Sequence, residues 1–171
     1  ERMKAILVQL NYHIGNFGEN ISRIEKEMNR AVKDGAELVI FSELAVTGYP
    51  PQDLLEFSSY IEASREALVK IASFSQQAGI LIGAPTLNPG PTGKKLFNSA
   101  YFLYQGEIRQ VFHKSLLPTY DIFDEYRYFE PANEYVIMML RTANIVMVVI
   151  STFFITKDLS LIFFFQAICF K

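Results

Sequence analysis

Three ionisable side chains sit where apolar segments give out, and their types suit acid–base chemistry on a carbonyl. Glu43 follows the continuous apolar run Leu38-Val39-Ile40-Phe41, Lys114 follows Ile108 to Phe112, and Glu125 lies eleven residues beyond Lys114. The ends of buried strands are where ligand sites gather in α/β sheets. Desolvation there raises a carboxyl pKa towards that of a general base working near neutral pH. A lysine beside a reacting carbonyl stabilises an oxyanion, and a second carboxylate can anchor that lysine. Position alone leaves each residue a plainer reading: Glu43 as a helix cap or solvated loop residue, Lys114 as a solvated lysine, Glu125 as the surface partner of Arg127. The intervening segment argues for function. Pro118, Tyr120, Phe123 and Phe129 mark a long ordered stretch without helix or strand periodicity, and such stretches usually have a functional reason.

Other reactive side chains offer less. His113 reads as a strand-end residue with no catalytic role, and His13 lies in the first loop without ligand-like neighbours. Two scattered histidines and a single cysteine, Cys169, do not make a zinc site, so no metal is expected. Gly83-Ala84-Pro85 and the Gly90/Gly93 loop lack phosphate-loop spacing.

The elements that must position these residues follow from periodicity. Met3 to Leu10 reads as a strand, and Asn11 to Glu19 as a polar loop. Ile21, Ile24, Met28, Ala31 and Val32 recur at helical spacing, which predicts a helix from about Asn20 to Lys33, stopped by Asp34-Gly35. Leu38 to Phe41 reads as a strand buried on both faces. Ser59-Tyr60-Ile61-Glu62 has the form of a capping box opening a second helix, whose inner face is Ile61, Leu68, Ile71 and Ala72 and whose end is Gly79. Ile80 to Ala84 is a third strand. Phe97 to Tyr104 and Ile108 to Phe112, joined through Gln105-Gly106-Glu107, form a hairpin. Tyr135 to Leu140 and Ile145 to Ile150 read as a further strand pair. The order predicts a layered α/β domain with a mixed sheet.

Composition narrows the partners. The 171 residues are 50% hydrophobic and 20% charged, with net charge −2, enough for one domain with a core. No basic stripe marks a nucleic-acid surface. One cysteine fits a reducing, cytoplasmic setting. From Ala143 onward only Lys157, Asp158 and Lys171 carry charge. The apolar runs Ile145 to Ile155 and Leu159 to Phe170 are each short of the roughly 20 residues a membrane helix needs, so a membrane span is not expected. The chain is read as residues 1–142, a domain, and residues 143–171, a divergent apolar tail prone to aggregation.

Phe41-Ser42-Glu43-Leu44 with Thr47-Gly48-Tyr49-Pro50-Pro51-Gln52-Asp53-Leu54-Leu55 resembles the glutamate motif of the nitrilase (carbon–nitrogen hydrolase) superfamily, in the variant found in the glutaminase domain of glutamine-dependent NAD⁺ synthetases. His113-Lys114 through Leu117-Pro118, Tyr120, Phe123-Asp124-Glu125, Arg127-Tyr128-Phe129 and Pro131 resembles the same family's lysine motif, and Asn98-Ser99-Ala100 also matches. The resemblance runs from Met3 to about Leu140. It implies a truncated α-β-β-α sandwich with a mixed sheet and a Glu-Lys-Cys triad. Glu43 would be the general base, Lys114 the oxyanion stabiliser, Glu125 the supporting carboxylate, and Tyr120 and Phe123 would shape a glutamine pocket. A cysteine thiolate would attack the amide, release ammonia and leave a thioester for water. The domain itself would need no cofactor. ATP and deamido-NAD⁺ would be used by a synthetase domain that this chain does not contain.

The family's cysteine ends a strand a few dozen residues after the lysine and is followed by Glu-Asp-hydrophobic-Trp. Nothing of that form occurs here, and the chain has no tryptophan. Ser151 stands near the expected position, but an unactivated serine is a much weaker nucleophile than a thiolate. Cys169 lies too far on and reads as a structural or tail cysteine. The chain is therefore expected to be an inactive amino-terminal fragment of a glutamine amide hydrolase. The alternative is a non-catalytic truncated form that interacts with a second copy or with a full-length relative.

Overall fold

Leu38, Val39 and Ile40 are all buried, which places their strand in the interior of a sheet rather than at its edge. The computed structural model describes residues 3–119 and 124–133 in full and the backbone of 137–141, 146–150 and 153–155. In chain order the elements are β1 (Ala5–Leu7), α1 (Phe17–Lys33), β2 (Leu38–Ile40), α2 (Ser58–Ala72), β3 (Gly79–Leu87), β4 (Leu96–Tyr104), β5 (Glu107–His113), α3 (Glu125–Tyr128), β6 (Ile137–Arg141), β7 (Val146–Ile150) and β8 (Phe153–Ile155), with a 3₁₀ turn at Gln52–Glu56. The first five strands form one sheet in the order β1-β2-β3-β4-β5, and β6-β7-β8 form a second. β1, β2 and β3 are parallel, whereas β3–β4 and β4–β5 are antiparallel. The fold is thus α/β with a mixed five-stranded sheet.

One face of that sheet carries the main core. Ile24, Met28 and Ala31 of α1 and Ala67, Leu68 and Ile71 of α2 pack with Val39, Phe41, Ile80, Ile82, Tyr101 and Leu103. Side chains alternate across a strand, so Gly83, Pro85 and Asn98 belong to the opposite face. A second cluster joins Leu44, Leu55, Ile61, Leu96 and Phe129.

Several boundaries differ from the periodicity reading. β1 spans three residues rather than eight. α1 opens at Phe17 because the Asn16 side chain accepts from the Glu19 amide at 3.2 Å, an N-cap interaction. Asn20, read as the start, is 1% exposed and ties the first loop down instead. Its amide donates to the carbonyls of His13 and Val46 at 2.9 and 3.3 Å. The capping box is not formed: Phe57 occupies the cap without a side-chain bond, and Glu62 pairs with Arg65 at 2.7 Å. α2 stops at Ala72, where the Ser73 and Ser75 hydroxyls donate to the carbonyls of Lys70 and Ala72, each at 2.7 Å. Gly79 opens β3 rather than ending the helix. The hairpin turn is two residues, Gln105 and Gly106, both at positive φ (54° and 79°), as the primed turns of tight hairpins require. Among the described residues no helix is long and apolar enough to cross a membrane.

Candidate active site

Glu43 reaches the site through a sharp turn. β2 hands over to Phe41, whose amide still bonds the Leu81 carbonyl at 2.8 Å. The chain then breaks away at Glu43, and Leu44 adopts φ 46°, a left-handed conformation that costs a branched residue on the order of 1–2 kcal/mol. The strain is held by the neighbours. Leu44 is fully buried in the second core, and its carbonyl accepts from both the amide and the hydroxyl of Thr47, each at 3.1 Å. β3 passes directly beneath. A Cβ at Gly83 would lie 2.3 Å from the Leu44 amide nitrogen and 2.8 Å from the Glu43 Cα, so only glycine lets β3 come this close.

Lys114 arrives from the antiparallel side. Ser99 pairs with His113 in register. One step on, the Lys114 amide donates to the Asn98 carbonyl at 2.8 Å. Asn98 and Lys114 are thus neighbours on one face, and Ser99 and His113 on the other. Glu125 comes from the segment after Lys114. Its amide bonds the Pro118 carbonyl at 3.2 Å, and the segment is tied back where the Glu130 amide meets the Leu96 carbonyl at 2.7 Å and the Ala132 amide meets the Lys114 carbonyl at 3.0 Å. The stretch expected to lack regular structure therefore contains one helical turn, α3, with Glu125 at its start.

These four elements bring one ammonium against two carboxylates. Lys114 Nζ lies 2.7 Å from Glu43 Oε1 and 2.9 Å from Glu125 Oε2. Glu43, Lys114 and Glu125 are 6%, 3% and 5% exposed, so the plainer readings of solvated residues do not hold. Arg127 pairs with Asp53 at 3.3 Å rather than with Glu125. Asn98 Nδ2 donates to Glu43 Oε1 and, at 3.3 Å, to Glu125 Oε2. The Tyr49 hydroxyl donates to Glu125 Oε1 at 3.1 Å. Asn98 and Tyr49 were not singled out by chemistry. An asparagine inside the apolar strand Leu96 to Tyr104 was the available signal, since a buried amide requires partners.

The two carboxylates are unequal. Both oxygens of Glu125 accept, Oε1 from Tyr49 and Lys114, Oε2 from Lys114 and Asn98. Glu43 accepts only at Oε1, and none of the described residues donates to its Oε2. Burial pushes the Glu43 carboxyl up to about 7, and the Glu125 charge adds to this, while Lys114 and the hydrogen bond from Asn98 pull the other way. Burial alone would lower the Lys114 ammonium, but the two carboxylates together hold it above its usual range.

Of the remaining expected site residues, Tyr120, Phe123, Ser151 and Cys169 lie outside the described residues. Among the described residues no group of His, Cys, Asp and Glu is arranged to hold a metal ion. His113 faces away from Glu43. Its Nδ1 is hydrogen-bonded with the Ser99 hydroxyl at 2.7 Å, and its ring stacks on Phe97 at 4.3 Å.

Comparison with known proteins points the same way as the geometry. Residues 4–156 match the family described as carbon-nitrogen hydrolase. A glutamine-dependent NAD(+) synthetase from Synechocystis sp. is 45% identical over 130 residues, covering 74% of this chain and 23% of that protein. The chain accordingly spans about a quarter of the length of the curated relatives it matches. The structure of glutamine-dependent NAD⁺ synthetase from Acinetobacter baumannii superposes with a TM-score of 0.74 at 31% identity, over 82% of this chain and 26% of that one. An amidase from Nesterenkonia sp., 22% identical with a TM-score of 0.66 over 86% of this chain and 54% of its own, shares the fold.

Proposed function

The chain belongs to the carbon–nitrogen hydrolase family, and on that premise we propose that its buried cluster is the amide site of a glutamine-hydrolysing domain of the NAD⁺ synthetase type, lacking turnover in this chain. The observation that carries the reading is the asymmetry of the two carboxylates around one lysine. Glu125, saturated by Tyr49, Asn98 and Lys114, is the anchor. Glu43, with one oxygen that none of the described residues engages and a carboxyl raised to about 7, is the general base. Lys114 carries three N–H groups: one meets Glu43 Oε1 and a second is shared between the two oxygens of Glu125, at 3.1 and 2.9 Å, so the third is left for the oxygen of a polarised amide. With a thiol present, Glu43 would take its proton and sulfur would bond the amide carbon. The oxyanion would collapse as Glu43 returns that proton to the leaving nitrogen, releasing ammonia, and water would cleave the thioester to glutamate, regenerating the thiol. No cofactor enters these steps. In a longer protein, the ammonia would supply amidation of deamido-NAD⁺ with ATP.

The missing member is the nucleophile. The chain's single cysteine, Cys169, lies beyond the family match, which ends at residue 156, and Ser151 lies within it. We assign residues 143–171 no part in the chemistry and place the protein in the cytoplasm. Association with a second copy or a longer relative would be its remaining role.

Purified chain incubated with glutamine should release no ammonia above buffer, while glutamine should raise its melting temperature. Turnover that Ser151→Ala or Cys169→Ala abolishes would show that a nucleophile is present. Absence of any thermal shift with glutamine or a small aliphatic amide would remove the amide-site reading itself.

A further inference from the structure

We propose that Asn98 is a positioning residue that assigns the two carboxylates their different tasks: by donating to Glu43 Oε1 and Glu125 Oε2 together, it turns Glu43 Oε2 outward as the atom that receives the proton. The inference rests on the amide-site reading above and adds a residue whose role follows from its own contacts. Asn98 is 1% exposed. Both acceptors in front of its amide group are carboxylate oxygens, so the nitrogen must face them, because the amide oxygen would meet only lone pairs. One NH₂ group has two protons, and each carboxylate takes one. Its backbone carbonyl meanwhile holds the Lys114 amide at 2.8 Å, so the same residue sets the height of the lysine.

The consequence is directional. Lys114 and Asn98 converge on the same oxygen, Oε1. Two donors on Oε1 fix the plane of the carboxyl group and leave Oε2 without a donor among the described residues. Without Asn98, the Lys114 ammonium alone would hold Glu43, and a single donor lets a carboxylate rotate and exchange its oxygens. Gly83 contributes from below, since its lack of a side chain lets β3 support the Glu43 turn. The charged and titratable groups facing Glu43 among the described residues are Lys114 at the end of β5 and Glu125 on α3, with Tyr49 behind Glu125.

A carboxyl-carbon NMR titration of the intact chain tests this. In the unmodified protein the two Asn98 side-chain amide protons should shift with the same midpoint as the Glu43 carboxyl carbon. Asn98→Ala and Asn98→Ser remove a donor from the ionised form, so the Glu43 midpoint should move up by about one pH unit. A residue that only fills space would lower the melting temperature and leave that midpoint in place. Asn98 amide protons indifferent to the Glu43 titration, or an unmoved midpoint in a folded variant, would overturn the proposal. The wild-type measurement decides the matter even where both variants fail to fold. Failure of the amide-site reading shows separately, as loss of the glutamine thermal shift in the unmodified chain.

Discussion

The β4–β5 hairpin buries polar side chains on both faces, and the two faces treat them differently. On one face Asn98 and Lys114 join Glu43 and Glu125 in a cluster built from three charges. One residue on, Ser99 and His113 project through the other face into a neutral chain. There Thr86 donates to Ser99 at 2.8 Å, Ser99 contacts His113 Nδ1 at 2.7 Å, and the Tyr101 hydroxyl meets Thr86. The neutral chain uses hydroxyls that serve as donor and acceptor in turn, so it can satisfy itself. The charged face has an excess negative charge and an acceptor oxygen to which none of the described residues donates. Burying charge is expensive and leaving an acceptor open adds to the expense, so stability alone does not explain that face. A site waiting for a proton and a carbonyl does.

The strongest way to break this contrast is to remove the cation. Lys114→Met leaves two carboxylates buried beside each other, and breaking a buried pair from one side costs about 3–5 kcal/mol. Urea unfolding at pH 8 should show that loss. At pH 5 the loss should be smaller, because Glu43 can then take up a proton and one charge disappears. A loss under about 1 kcal/mol at both pH values, in the range of an exposed pair, would mean that the carboxylates are solvated and the contrast is false.

How much of this the sequence carried depends on whether the signal was local. The strand ends after Phe41 and Phe112 were legible from apolar runs, and they placed Glu43 and Lys114. The two long motifs linked Glu125 to them. Asn98 and Gly83 were not legible as site residues, because their importance comes from pairing between strands distant in sequence: Gly83 opposes Ala100 and also abuts Glu43. The capping box at Ser59 is absent for a local reason. The helix starts earlier than the box implies: Phe57, at φ −89° and ψ 120°, occupies the cap, and Ser59 already lies inside the first turn of α2. The helical turn at Glu125 was hidden because four residues are too few for a period to register.

The contrast sharpens within the charged face when each glutamate is replaced by its amide. In Glu43→Gln the carbonyl oxygen can keep the Oε1 position with its two donors, and the NH₂ takes the Oε2 position, where no described residue donates. In Glu125→Gln either orientation turns the NH₂ towards Lys114 and a second donor. Glu125→Gln should therefore cost about 2–3 kcal/mol at pH 8, as expected for a buried charged hydrogen-bond network, and Glu43→Gln should cost less than about 1 kcal/mol. The pH dependence separates them further. Glu43 titrates near 7 in the fold against 4.5 as its ordinary value, so the folded state binds the extra proton between those values. Its contribution to stability is full below pH 4.5 and is lost as pH rises through 7. Denaturant unfolding between pH 4.5 and 7 should slope downward in the unmodified chain and lose that component in Glu43→Gln. Equal losses for the two amides would mean that the carboxylates are interchangeable.

The neutral face should give effects well below those of Lys114→Met and Glu125→Gln, and the opposite slope. Burial holds the His113 imidazole below its ordinary 6.5, so the fold favours the neutral ring, whose Nδ1 is hydrogen-bonded with the Ser99 hydroxyl. That contribution is present above pH 6.5 and is lost as pH falls through the lowered folded value. Ser99→Ala removes one hydroxyl link and should cost about 1 kcal/mol at pH 8. His113→Phe keeps the ring against Phe97 and should cost about as much, while abolishing the acid-side decline that His113 contributes. Neither variant should move the Glu43 titration midpoint, because the sheet backbone stands between the two networks. A midpoint that followed Ser99→Ala would show that the faces communicate through the hairpin, and the separation of charged site from neutral support would fail at the one place where the two are a single residue apart.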